Sequence, residues 1–353
     1  MAFSFAPPGY TCGPGIVVLP QLTKSMIMLR HPSTTLATVA ILVAGFLAAP
    51  PAQAQDYPNK PVRIVIGLAA GGGIDVIARV VAQRMTENMG QPVLVENKPG
   101  ASGIIAAEFA AKAAPDGYTL MIAPSGPMVF NAVMFSKLSY SPIRDYVPIG
   151  MVANFPLIAV VNAATPIKTM RELADYAKAN PARANYAAST AAFQLTTELF
   201  NIHAGTAMQN ITYKGTNESV ASVIAGDVLM TFADSGPASA AMRGGKVRGL
   251  AVTAPRRMTA FPDLPTMLEA GFPQLDVQLW GGLFAPAGTP PAIVKKLEDE
   301  LAKALKSPDV VQRFNTLTVN AGGATGTELG AQMAAEIARW KDVAQKANIK
   351  PNN

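Results

Sequence analysis

A chain of 353 residues, half of them apolar and 15% charged, is long enough for two α/β domains, each with its own core. One Cys (Cys12) and two His (His31 and His203) exclude a disulfide framework, a Cys/His zinc cluster and a CxxC redox centre. The net charge of +6 is mild, and no Lys/Arg block or aromatic–basic repeat suggests a nucleic-acid groove. Neither a metal nor a cofactor is expected.

The amino end reads as a targeting segment. No Asp or Glu occurs before Gln55. Residues 1–25 read as an upstream extension from a misassigned start, with Met26 or Met28 as the true one. Residues 26–54 then form a signal peptide. Arg30 and His31 are its basic region, Leu36 to Ala49 its apolar run, and Ala52-Gln53-Ala54 its small-x-small site. Cleavage is expected before Gln55, because the apolar run is shorter than the roughly 20 residues a permanent anchor needs. Beyond that point the chain holds no Cys and a single His, which suits a disulfide-free periplasmic protein.

Val62–Gly67 predicts a buried strand and Ile74–Met89 an amphipathic helix stopped by Gly90. Strands at Pro92–Glu96 and Thr119–Ala123 flank an Ala-rich helix ending near Ala113. This alternation predicts parallel strands with helices on their faces. Short strands follow at Leu157–Val161, Asn185–Ala188, Asn210–Thr212, Leu229–Phe232 and Gly249–Thr253. Thr169/Glu172 and Thr325/Glu328 are capping boxes. Helices at Pro291–Leu305 and from Thr325 to about Ala347 close the chain.

Glycine-rich turns follow the first three strands: Leu68–Asp75, Pro99–Gly103 and Ala123–Gly126. In such a turn backbone amides approach a ligand closely, and the next helix offers its positive end to an anion. Gly71-Gly72-Gly73 lacks the G-x-G-x-x-G spacing of a dinucleotide site, and no P-loop Lys follows. A plain tight turn with Asp75 in the first helical turn is the alternative. Three such turns in series predict a pocket outside the carboxyl ends of the strands.

The runs YPNKPVRIVIGLAAGGGIDVIAR, QPVLVENKPGASG, APDGYTL, YKG, GKVRGLAVT, FPDLPTMLEAG and APAGTP, in this order, resemble the Bug-type substrate-binding proteins of tripartite tricarboxylate transporters. The resemblance implies an α/β, two-domain periplasmic binding protein ("Venus flytrap") fold, each lobe a mostly parallel sheet flanked by helices. It divides the chain into a first lobe of 55–155 plus 280–353 and a second of 156–279. It implies a monomer that is not an enzyme, captures a small organic carboxylate between the lobes and delivers it to a two-component membrane permease. The implied ligand-binding residues are Ala70, Gly71, Gly72, Ser125, Ser189, Thr190 and Asp234. Leu68, Ala70 and Ile74 depart from the family's first loop (aromatic, Pro and Thr), and Phe193 would narrow the pocket. Asp234 would grip an amine, orient water or cap a helix.

Two other functions stay open on the sequence: an exported serine hydrolase using Ser125, and a sensory partner presenting its ligand to a membrane receptor. Ser125 lacks the G-x-S-x-G frame of a nucleophile elbow. His203 reads as a helix-end residue. Trp280 lies either at an interdomain crossover or in ordinary core. Glu336 and Lys341 read as the solvated face of the last helix.

Overall fold

The computed structural model describes residues 57–71, 73–317 and 319–352. The expected signal peptide and cleavage site, Cys12, His31 and the expected ligand residue Gly72 lie outside the described residues.

Three strands open the fold: β1 (Val62–Ile66), β2 (Val93–Asn97) and β3 (Thr119–Pro124). They are joined through α1 (Gly73–Met89) and α2 (Ile104–Ala111). On α1, Ile74, Ile77, Ala78, Val81, Ala82 and Met85 recur at helical spacing, and that stripe is buried. A π-helical turn, Gly126–Phe130, leads into the short α3 (Asn131–Met134). The long β4 (Tyr146–Asn162) follows.

A second β/α series then runs α4 (Met170–Ala179), β5 (Asn185–Ala188), α5 (Ala191–Ala204), β6 (Gln209–Thr212), α6 (Thr216–Ala225), β7 (Met230–Asp234), α7 (Ser235–Arg243) and β8 (Val247–Val252). The chain returns along β9 (Gln278–Pro286). It ends with α8 (Pro291–Lys306), α9 (Pro308–Thr316), β10 (Asn320–Ala321) and α10 (Gly326–Lys346). The Thr325/Glu328 capping box is closed on both sides. At Thr169 half of the box forms, because Glu172 takes the Lys168 amide instead of the Thr169 amide.

The strand order is β2-β1-β3-β9-β4-β7-β5-β6, with β8 and β10 also on β4. β1 pairs in parallel with β2 and β3, and β5 with β6 and β7. This is the two-lobe α/β fold, with a mixed sheet where mostly parallel strands were expected. The ladders of β4 and β9 run antiparallel. The reason is topological: a chain that leaves one lobe along β4 returns along β9 in the opposite direction. One apolar core lies around Ile64, Ile77, Met85, Leu120, Leu297 and Phe314, and another around Val160, Val220, Val223 and Val252. A third runs from Phe130 and Trp340 to Phe193, Phe200 and Phe232, joining the two series of elements.

Candidate functional site

Sheet register sets the site. β3 runs in the direction of β4, and its last residue, Pro124, is level with Gly281 of β9 and through it with Ala153 of β4. β7 runs against β4, and its last residue, Asp234, is level with Leu157. The carboxyl ends of the two strand groups therefore point towards each other, separated along β4 by four residues, about 13 Å of strand. Ligands of open α/β sheets bind at such ends.

On the first side, Gly71 has φ +82°, a conformation that costs any L-residue. Its amide donates to Asp75 Oδ2 at 2.9 Å. Asp75, only 2% exposed, also accepts from Arg79 Nε at 3.0 and 3.1 Å and from Asn97 Nδ2 at 2.9 Å. Asn97 Nδ2 further donates to the Leu68 carbonyl at 3.0 Å, and Arg79 Nη2 donates to Asn97 Oδ1 at 3.0 Å. Hydrogen bonding to the Arg79 guanidinium pulls the Asp75 carboxyl down to about 2. Asp75 therefore ties the turn together, while Ala70 and Gly71 stay exposed at its tip.

The neighbouring turns pack onto this one. A Cβ on Gly67 would lie 2.9 Å from the Gly103 Cα, and one on Gly103 would lie 3.4 Å from Pro127 Cγ. From Gly100 to Gly103 every φ is positive, including Ala101 at 45° and Ser102 at 53°. Left-handed non-glycine residues cost on the order of 1–3 kcal/mol each and persist where their surroundings hold them. Asn131 Nδ2 holds the Ser102 carbonyl at 3.1 Å. Ser125 is 2% exposed, with an ordinary φ of −55° and ψ of −21°. The three turns expected from the sequence thus meet at Gly67, Gly103 and Pro127. Arg79, Asn97 and Asn131 were not foreseen, although Arg79 stands four residues after Asp75, a readable helical pair.

On the second side, Ser189 Oγ is buried without a hydrogen-bond partner among the described residues. Thr190 is exposed and precedes α5 without bonding its amides through its side chain. Phe193 is 3% exposed and belongs to the core. Asp234 precedes α7, also without a side-chain cap bond, and its Oδ2 accepts from Thr216 Oγ1 at 2.7 Å. Burial pushes its carboxyl up. It faces a cavity of about 410 Å³ lined by the 214–218 segment and Pro237. That segment follows β6 and begins within the YKG motif (Tyr213–Gly215), for which no binding role was expected. A larger cavity of about 800 Å³ lies between the start of α4, β8 and residues 260–265. It holds none of the expected ligand residues, so the strand-end cleft is the better candidate.

The ambiguous residues resolve differently. His203 is exposed in the last turn of α5. Trp280 is fully buried in β9, and its indole N–H donates to Glu336 Oε2 at 3.0 Å. Lys341 is exposed, but Glu336 is not on a solvated face: Trp280 and Gln332 Nε2, at 2.7 Å, both donate to it. Burial raises its carboxyl above the usual Glu range. The described residues contain no group of three or more His, Cys, Asp or Glu placed to hold a metal ion.

A model of the tripartite tricarboxylate transporter family receptor matches residues 77–349. Protein BugT of Bordetella pertussis is 33% identical over 318 residues, covering 89% of this chain and 98% of BugT. A protein of R. palustris solved with adipate is 32% identical with a TM-score of 0.74, covering 84% of this chain and 100% of that one. MatC from Rhodopseudomonas palustris, with bound malate, is 32% identical with a TM-score of 0.69, covering 81% and 99%.

Proposed function

The chain belongs to the tripartite tricarboxylate transporter receptor family, and from that membership we propose that it is a periplasmic solute-binding protein. In this reading it closes on a small organic carboxylate and delivers it to a two-component membrane permease. The signal peptide is removed before Gln55, and the lobes are 55–155 with 280–353, and 156–279. The observation that carries the reading is the opposition of two strand-end clusters. Ala70, Gly71 and Ser125 stand on one side, and Ser189, Thr190 and Asp234 on the other.

The first cluster suits a carboxylate group. It offers backbone amides of a turn at the start of a helix, where the dipole favours negative charge. Relatives solved with adipate and malate support the ligand class. The hydrolase alternative finds less support. Ser125 is enclosed and unstrained, and His203, the one histidine among the described residues, is exposed on α5.

The test is a thermal-shift titration with adipate, malate and other mono-, di- and tricarboxylates, on the parent and on Gly71→Val. A ligand that binds only the folded state stabilises it by RT ln(1 + [L]/Kd), about 2.7 kcal/mol at a hundredfold excess over Kd. Valine cannot hold the positive φ, so affinity is expected to fall at least about tenfold. The reading fails if no carboxylate raises the melting temperature, or if folded Gly71→Val binds like the parent.

A further inference from the structure

The second cluster contains a carboxylate that no cation pairs with, although Lys214 lines the same cavity. Asp234 takes part in none of the ion pairs among the described residues. It stands where an N-cap would, yet its side chain turns away from the amides of α7 and meets the Thr216 hydroxyl at the start of α6. Capping therefore does not explain it. Thr216 donates to Oδ2, and Asp234 lines a cavity together with Lys214, Gly215, Asn217, Glu218 and Pro237. One strand away, Ser189 Oγ is a buried polar atom with no hydrogen-bond partner among the described residues. The parallel pairing of Ala187 with Thr231 puts Ser189 level with Ala233, next to Asp234.

A carboxylate taken partly out of water with a single hydroxyl donor and no ion pair costs free energy, and a second carboxylate brought against it costs more. A ligand that supplies a proton donor relieves the first cost and avoids the second. We propose that the ligand carries a hydrogen-bond donor, an ammonium or a hydroxyl, at the end remote from its carboxylate, and that Asp234 selects for that donor. The substrate class is then an ω-amino- or ω-hydroxycarboxylate in preference to a plain dicarboxylate. This inference rests on carboxylate capture by the first cluster, since the remote end is defined from there.

Two matched series test it by calorimetry. One comprises 6-aminohexanoate, 6-hydroxyhexanoate, hexanoate and adipate; the other comprises the four-carbon equivalents ending in succinate. At the better chain length, the amino or hydroxy acid should bind at least about tenfold tighter than the dicarboxylate and the unsubstituted acid. Asp234→Asn should shrink that gap to less than about threefold while carboxylate binding persists. Asp234→Ser, a small polar residue at the same helix start, serves if the Asn variant does not fold. A dicarboxylate as the tightest ligand of the parent refutes the role of Asp234. So does a donor preference that survives both substitutions. If no member of either series binds, carboxylate capture itself falls and this inference falls with it.

Discussion

Asp75 shows how one residue fixes the shape of the first glycine-rich turn. Its carboxylate gathers Gly71, Arg79 and Asn97, and with them the Leu68 carbonyl. Because its pKa in the fold lies near 2, below the usual 3.8, the ionised form is favoured by folding. That stability is present above the ordinary carboxylate range and is lost as pH falls from about 4 towards 2. Each unit is worth about 1.4 kcal/mol, and the half-exposed Arg79 discounts the total to about 1–2 kcal/mol. Asp75→Asn should therefore lose about that much in urea unfolding at neutral pH and progressively less in acid. A deficit that does not change with pH would argue against the charge. The glycines of this turn were legible because few other residues tolerate such backbones at strand ends. Asn97 was not, since a contact from the end of another strand leaves no periodic mark. Ser189, Thr190 and Asp234 were reached through family resemblance alone.

Among the elements, α10 corrects the sequence reading most clearly. Leu329, Met333, Trp340 and Val343 form its buried stripe, and Glu336 lies on that stripe, three residues after Met333 and four before Trp340. The periodicity carried this signal, but the charge alone was read. Burial raises the Glu336 carboxyl, so the fold favours its protonated form, and stability falls as pH rises above the usual Glu range. Glu336→Gln can still accept from the Trp280 indole. It should match the parent at the lower end of that window and become the more stable of the two as pH rises. Glu336→Ala orphans the indole N–H and should lie about 1–3 kcal/mol below Glu336→Gln at every pH. Melting curves from pH 5 to 8 separate the cases. A Gln variant that loses stability as pH rises would show that the ionised carboxylate is favoured by its neighbour Arg339. The central strands were the other misreading. Pro148, Gly150 and Pro156 break the β4 pattern, and bulges near Pro148 and Met151 absorb the breaks. In β9, Gly281-Gly282 removes the alternation that marks a strand.

For the whole molecule, the rhythm of strands and helices was legible, whereas the reversal at β4 and β9 was a matter of topology that local pattern does not record. The reversal has a mechanical consequence. Asn154 pairs with Trp280, Phe155 with Leu279 and Pro156 with Gln278, so the two passages between the strand groups lie side by side as one ladder. We propose this ladder as the hinge, with rotation absorbed there while each group of strands moves as a body. The apolar core that joins Phe130 and Trp340 to Phe193 and Phe200 restrains the motion, because α5 must slide over α10 and the π-helical turn as the cleft changes. A ligand shifts such an equilibrium only through contacts it makes better in the closed form. In the proposed site, Gly71 and Ser125 across from Ser189 and Asp234 would provide that difference, since a ligand reaching both sides is fully held only when they approach. Small-angle scattering should then show a smaller radius of gyration at saturation with a ligand verified by calorimetry, and at a ligand concentration near the parent's Kd the change should be several-fold smaller in Gly71→Val. An unchanged curve at confirmed occupancy would mean that the ligand is held by one strand group alone, and the closing motion would have to be abandoned.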